Sequence, residues 1–87
     1  MSDEIRRGHV VFLKWTNDQT RYYGFITPVG SSGSRESNIW FGDTVVKGPM
    51  PVYGDEVEFV KFDRPHPVRN TINARLVWKL GERHHVA

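Results

Sequence analysis

Gly, Pro, Asn, Asp and Ser interrupt this chain at intervals of roughly eight to twelve residues, and no apolar pattern at helical spacing between them outlasts a turn or two. That punctuation leaves room for short strands and little else. The segments that fit are His9 to Trp15, Tyr22 to Thr27, Asn38 to Phe41 with a continuation toward Val46, Glu56 to Phe62, and Thr71 to Lys79, all rich in Val, Ile, Phe, Tyr and Trp. The connections are equally recognisable. Thr16 to Thr20 is a polar turn, and Pro28 to Ser37 carries Gly30, Gly33 and several Ser. Lys47 to Asp55 and Asp63 to Asn70 hold prolines that cannot donate to a central ladder. Five short strands with no helix between them predict an all-β barrel or small sandwich, in which closure removes sticky edges.

A chain of 87 residues buries one core only, and 38% hydrophobic with 13% aromatic content is enough to fill it. The expected layout is a polar arm over 1–7, one domain over 8–80 and a polar tail over 81–87. Without cysteine, stability comes from packing, as suits a reducing cytoplasm. The start of the chain is polar and no apolar run approaches a membrane span, which predicts a soluble protein with no membrane partner. A net charge of +2 is too small for coating nucleic acid by charge alone. Its distribution predicts a basic side from Arg6, Arg7, Lys14 and Arg21, and a solvated acidic side from Asp55, Glu56 and Glu58.

The densest chemistry lies in Arg21-Tyr22-Tyr23-Gly24-Phe25-Ile26. Alternation puts Tyr23 and Phe25 on one face and Tyr22, Gly24 and Ile26 on the other, with Ile26 the core residue. Rings two residues apart on a strand stand roughly 7 Å from each other, near the separation of consecutive unstacked bases. Gly24 marks a bend or a close backbone approach. In Asn38-Ile39-Trp40-Phe41-Gly42, inward Ile39 and Phe41 turn Trp40 outward. In the first strand Val10, Phe12 and Lys14 share one face, and Val11, Leu13 and Trp15 the other; periodicity does not choose between them. Three Trp, three Tyr and five Phe, added to the aliphatic residues, exceed what so small an interior holds, so several rings are expected in solvent.

These residues resemble the cold-shock domain, an OB-fold module, from Gly8 to about Lys79. Its ribonucleoprotein motif Lys-Gly-Phe-Gly-Phe-Ile is similar to Arg21 through Ile26, and its Asp-Val-Phe-Val-His to Asn38 through Gly42. Its Gly-x-x-Val-x-Phe is similar to Gly54 through Phe59, and its Ala-Asn-Val-Arg-Leu to Ile72 through Leu76. The resemblance implies a five-stranded antiparallel OB barrel whose second and third strands present a stacking surface, with RNA chaperone, antitermination or translational roles. Gly42 stands where the family has an outward His. The family's first-strand Trp aligns with Phe12 if Gly8 is matched, the preferred register, or with Trp15 if Lys14-Trp15 is matched.

The expected partner is therefore single-stranded RNA or DNA. Phe12, Trp15, Tyr23, Phe25 and Trp40 would stack on bases, Lys14, Arg21 and Arg69 would contact phosphate, and Lys47 with Met50 would extend the track. A protein-interaction module on the same barrel is the alternative. Neither catalysis nor a cofactor is expected. His9, His66, His84 and His85 recur at no metal-ligand spacing, and Gly30 to Ser34 lacks the ending of a phosphate loop.

Overall fold

The computed structural model describes residues 4–31, 37–68 and 71–81. Five strands form one curled antiparallel sheet: β1 (Arg6–Trp15), β2 (Tyr22–Pro28), β3 (Ile39–Gly42), β4 (Glu56–Lys61) and β5 (Ala74–Lys79), in the spatial order β3-β2-β1-β4-β5. The two outer strands approach each other through parallel bridges from Trp40 to Asn73 and from Val46 to Val77. The result is a half-barrel compatible with an OB-like barrel. No helix among the described residues is long and apolar enough to cross a membrane.

β1 begins three residues before the expected His9, because Arg6 and Arg7 pair with Phe59 and Glu58 of β4; both lie inside the stretch read as a polar arm. β3 does not continue to Val46. After Gly42 the chain turns through a 3-10 helix, Asp43–Val45, closed by the Val46 N–H donating to the Asp43 carbonyl.

The first strand resolves a question that alternation left open, and neither face is buried throughout. Val10 pairs with Ile26 and Phe12 with Phe25, so Val11 is an extra residue in a β-bulge. Val10 is fully buried in the core. Past the bulge Phe12 and Lys14 turn outward, while Leu13 packs against the core. The predicted grouping of Val10 with Phe12 and Lys14 is thereby corrected, since one inserted residue exchanges the faces of everything after it.

Val10, Ile26, Ile39, Phe41, Val57, Phe59, Ala74 and Val77 form the core inside the curl. Gly24 allows the close approach its position foretold. A Cβ there would collide with the Phe12 carbonyl oxygen and stand 2.9 Å from Cε1 of Phe41.

The acidic side is not the solvated face that strand spacing predicted. Glu58 is only 5% exposed, and its Oε1 accepts a 2.8 Å hydrogen bond from Nε1 of Trp78. Cross-strand pairing places Arg7, Glu58 and Trp78 in one row over β1, β4 and β5, so long neighbours cover the carboxylate. Asp55 accepts from the Val52 N–H and lies 3.6 Å from Nζ of Lys79. Glu56 remains exposed.

Candidate functional site

Four rings meet on the outer face of three adjacent strands. Antiparallel pairing sets Phe12 opposite Phe25, Lys14 opposite Tyr23, and Phe25 opposite Trp40. Ring centroids of Phe12 lie 6.0 Å from Tyr23 and 5.8 Å from Phe25, both tilted; Tyr23 and Trp40 lie 6.2 Å apart with planes only 23° from parallel. The rings thus connect in one chain, Phe25 to Phe12 to Tyr23 to Trp40. Phe12 is 40% exposed and the other three are half-buried, their edges supported by neighbours. Tyr23, Phe25, Trp40 and Thr71 line a cleft of about 420 Å³.

The geometry follows from local sequence. Inward Gly24 and Ile26 leave Tyr23 and Phe25 the outer side of β2, and inward Ile39 and Phe41 do the same for Trp40 on β3. The bulge at Val11 then brings Phe12 and Lys14 to that side of β1.

Trp15 does not join the cluster. It pairs with Tyr22, their rings 5.3 Å apart, on the side of the sheet that carries Leu13 and the core. Burial, and secondarily the negative charge of Asp43, raises the pKa of the Tyr22 hydroxyl above its ordinary value.

The expected basic side is largely neutralised. Nε and Nη2 of Arg21 donate to Oδ1 of Asp43 at 3.2 and 3.0 Å, and these bonds hold the Asp43 carboxyl below its ordinary pKa despite an opposing desolvation cost. Arg6 pairs with Glu4 at 3.0 Å, and Nε of Arg7 lies 4.0 Å from Glu58. Lys14 is exposed on the ring face, cross-strand from Tyr23. Lys47 lies beside the Val46–Val77 bridge, its N–H donating to the Val77 carbonyl, whereas Trp40 bridges Asn73, four residues before Val77 in the chain. Arg69, His84 and His85 fall outside the described residues.

Three features were not anticipated. The first is Thr71 at the wall of the ring cleft, its hydroxyl donating to Oδ1 of Asn73 at 2.9 Å. Nearby, Phe62, Arg64, His66 and Asn73 contribute to a cavity of about 440 Å³ beneath the β4–β5 loop. The proline-rich composition of that loop announced a turn but not the cavity its residues line. The third is the way the expected polar turn after β1 is braced by one carboxylate. Oδ1 of Asp18 accepts from the Thr16 hydroxyl and from the Thr20 hydroxyl and N–H, which lowers its pKa from 3.8 to about 2.

Among the described residues no group of three or more His, Cys, Asp or Glu could hold a metal ion. Comparisons with protein-family models, with curated proteins and with solved structures find no match to this chain.

Proposed function

We propose that this chain binds single-stranded nucleic acid on the outer face of β1, β2 and β3, as a divergent OB barrel of the cold-shock type. The observation that carries this reading is the connected set Phe25, Phe12, Tyr23 and Trp40, with neighbouring centroids 5.8 to 6.2 Å apart on one solvent-facing side. Unstacked bases have the flat faces and spacing that such rings accept, and stacking tolerates many sequences. Lys14 supplies charge beside Tyr23 for the phosphate backbone, and the cleft walled by Thr71 gives the strand a track. The roles that follow are those of an RNA chaperone or a regulator of transcription or translation.

A protein-interaction module is the second reading. One observation favours it: Arg6 and Arg7 at one end of the β1–β2 ladder and Arg21 at the other all face acidic partners, which weakens the attraction of these cations for polyanions.

The test is a titration with short pyrimidine-rich single strands at low salt. The expected result is quenching of tryptophan fluorescence, with affinity falling as salt rises at a slope reporting a few phosphates. Unchanged fluorescence, together with unchanged anisotropy of a labelled strand, would overturn the nucleic-acid reading.

A further inference from the structure

Gly42 lies on the outer side of β3, two residues beyond Trp40 and cross-strand from Tyr23. Its backbone, at φ −111° and ψ 167°, is ordinary extended chain that any residue adopts. Nothing in the backbone therefore calls for glycine, and glycine within a strand is destabilising relative to residues with side chains. The space a side chain would take is filled by indole. A Cβ on Gly42 would stand 3.1 Å from Cη2 of Trp40, 3.5 Å from Cζ3 and 3.9 Å from Cζ2, all atoms of its six-membered ring. Gly42 is consequently buried although it faces outward. The same indole lies within 23° of the Tyr23 ring plane.

We propose that Gly42 is a specificity-determining position: by withholding a side chain it lets the Trp40 indole lie down beside Tyr23, forming a two-ring surface that favours purine bases of a single strand. The inference rests on the reading that this face stacks on bases. A bicyclic base overlaps a bicyclic indole more fully than a pyrimidine does. With no side chain at 42 to hydrogen-bond a base edge, preference at this point follows ring overlap, the usual source of bias in stacking sites. Any larger residue at 42 must displace the indole, because the obstruction is the far end of a side chain and not backbone. Gly42 is then a positioning residue that acts through Trp40.

The test compares the unaltered chain with Gly42→Ala and Gly42→Val, using labelled adenine-rich and thymine-rich heptamers of equal charge and reading binding by anisotropy. The unaltered chain is expected to bind the adenine-rich strand more tightly. Gly42→Val should lose about fivefold or more on that strand, the lower bound for one lost stack, and less on the other. Gly42→Ala should fall between, with an altered near-ultraviolet circular dichroism signal from Trp40 and an unchanged or higher thermal midpoint. If the unaltered chain binds both strands and Gly42→Val keeps affinity and ratio, the role of Gly42 is refuted while the ring-face reading stands. Tighter binding of the thymine-rich strand by the unaltered chain would refute the purine preference. No binding of either strand would take down the reading itself. Should Gly42→Val fail to fold, Gly42→Ala decides: unaltered Trp40 dichroism and affinity would overturn the proposal.

Discussion

Tyr22 and Tyr23 are neighbours in the chain and opposites in the molecule. Tyr23 meets Phe12 on β1 and Trp40 on β3, so it belongs to a surface assembled from three strands. Tyr22 meets Trp15 at the end of the β1–β2 ladder, on the core side, close to the Arg21–Asp43 pair and the braced turn at Asp18. Both sites hold exposed aromatic area. On the proposed reading, the difference teaches that a stacking surface needs lateral continuity more than it needs rings: three strands side by side join Tyr23 to other rings, whereas the Tyr22 pair ends where its ladder ends.

The largest expected effect comes from Tyr23→Ala combined with Phe25→Ala. Each base deprived of its ring costs about 1–3 kcal/mol, so affinity for a single strand should fall roughly thirtyfold or more. The fold should persist, because neither ring belongs to the buried core. Titration alongside circular dichroism checks both halves, and retained affinity would erase the distinction between the two regions. Lys14→Ala should act more gently. Removing one phosphate contact lowers the slope of log affinity against log salt by about one, measurable by repeating the titration over a salt series.

On the Tyr22 side the effect is on stability and depends on pH. Asp18 binds its proton less readily in the folded chain, its pKa lying at about 2 against an ordinary 3.8. Its contribution is therefore complete above about pH 4 and disappears as pH falls toward 2. Asp18→Asn should be less stable than the unaltered chain at neutral pH and should lose less of its remaining stability over that acid interval, as read from denaturation midpoints. Equal acid sensitivity in both proteins would show that the turn is not held by its carboxylate. Smallest of all, Trp15→Ala should leave strand affinity within about a factor of two, the range of surface changes that touch no special feature. A larger loss would move Trp15 onto the track and dissolve the contrast.

The outward course of Tyr23, Phe25 and Trp40 was readable in the sequence, because aliphatic residues or glycine alternate with them and fix which side is buried. The position of Phe12 was not. Its side depends on the inserted Val11, and a bulge leaves no mark in a run of apolar residues that fit either face. Arg21 and Glu58 illustrate a second limit. Their partners, Asp43 and Trp78, lie 22 and 20 residues away, and only the pairing of strands brings them together. Strand spacing alone placed Glu58 in water, whereas the row from Arg7 to Trp78 encloses it. Trp15 was placed with the other rings as an extra contact from a lengthened turn, through its likeness to the family's first-strand Lys-Trp, whereas the ladder sets it opposite Tyr22.

Trp40 serves two structures at once. Its ring lies on the outer face, while its backbone N–H donates to the Ile72 carbonyl at 3.1 Å and ties β3 to the chain entering β5. Fraying of that junction would tilt the ring before the rest of the protein unfolds. If the ring face binds single strands as proposed, warming should then extinguish that binding below the temperature at which the core melts, making the rim of the curl the thermal fuse of the whole surface.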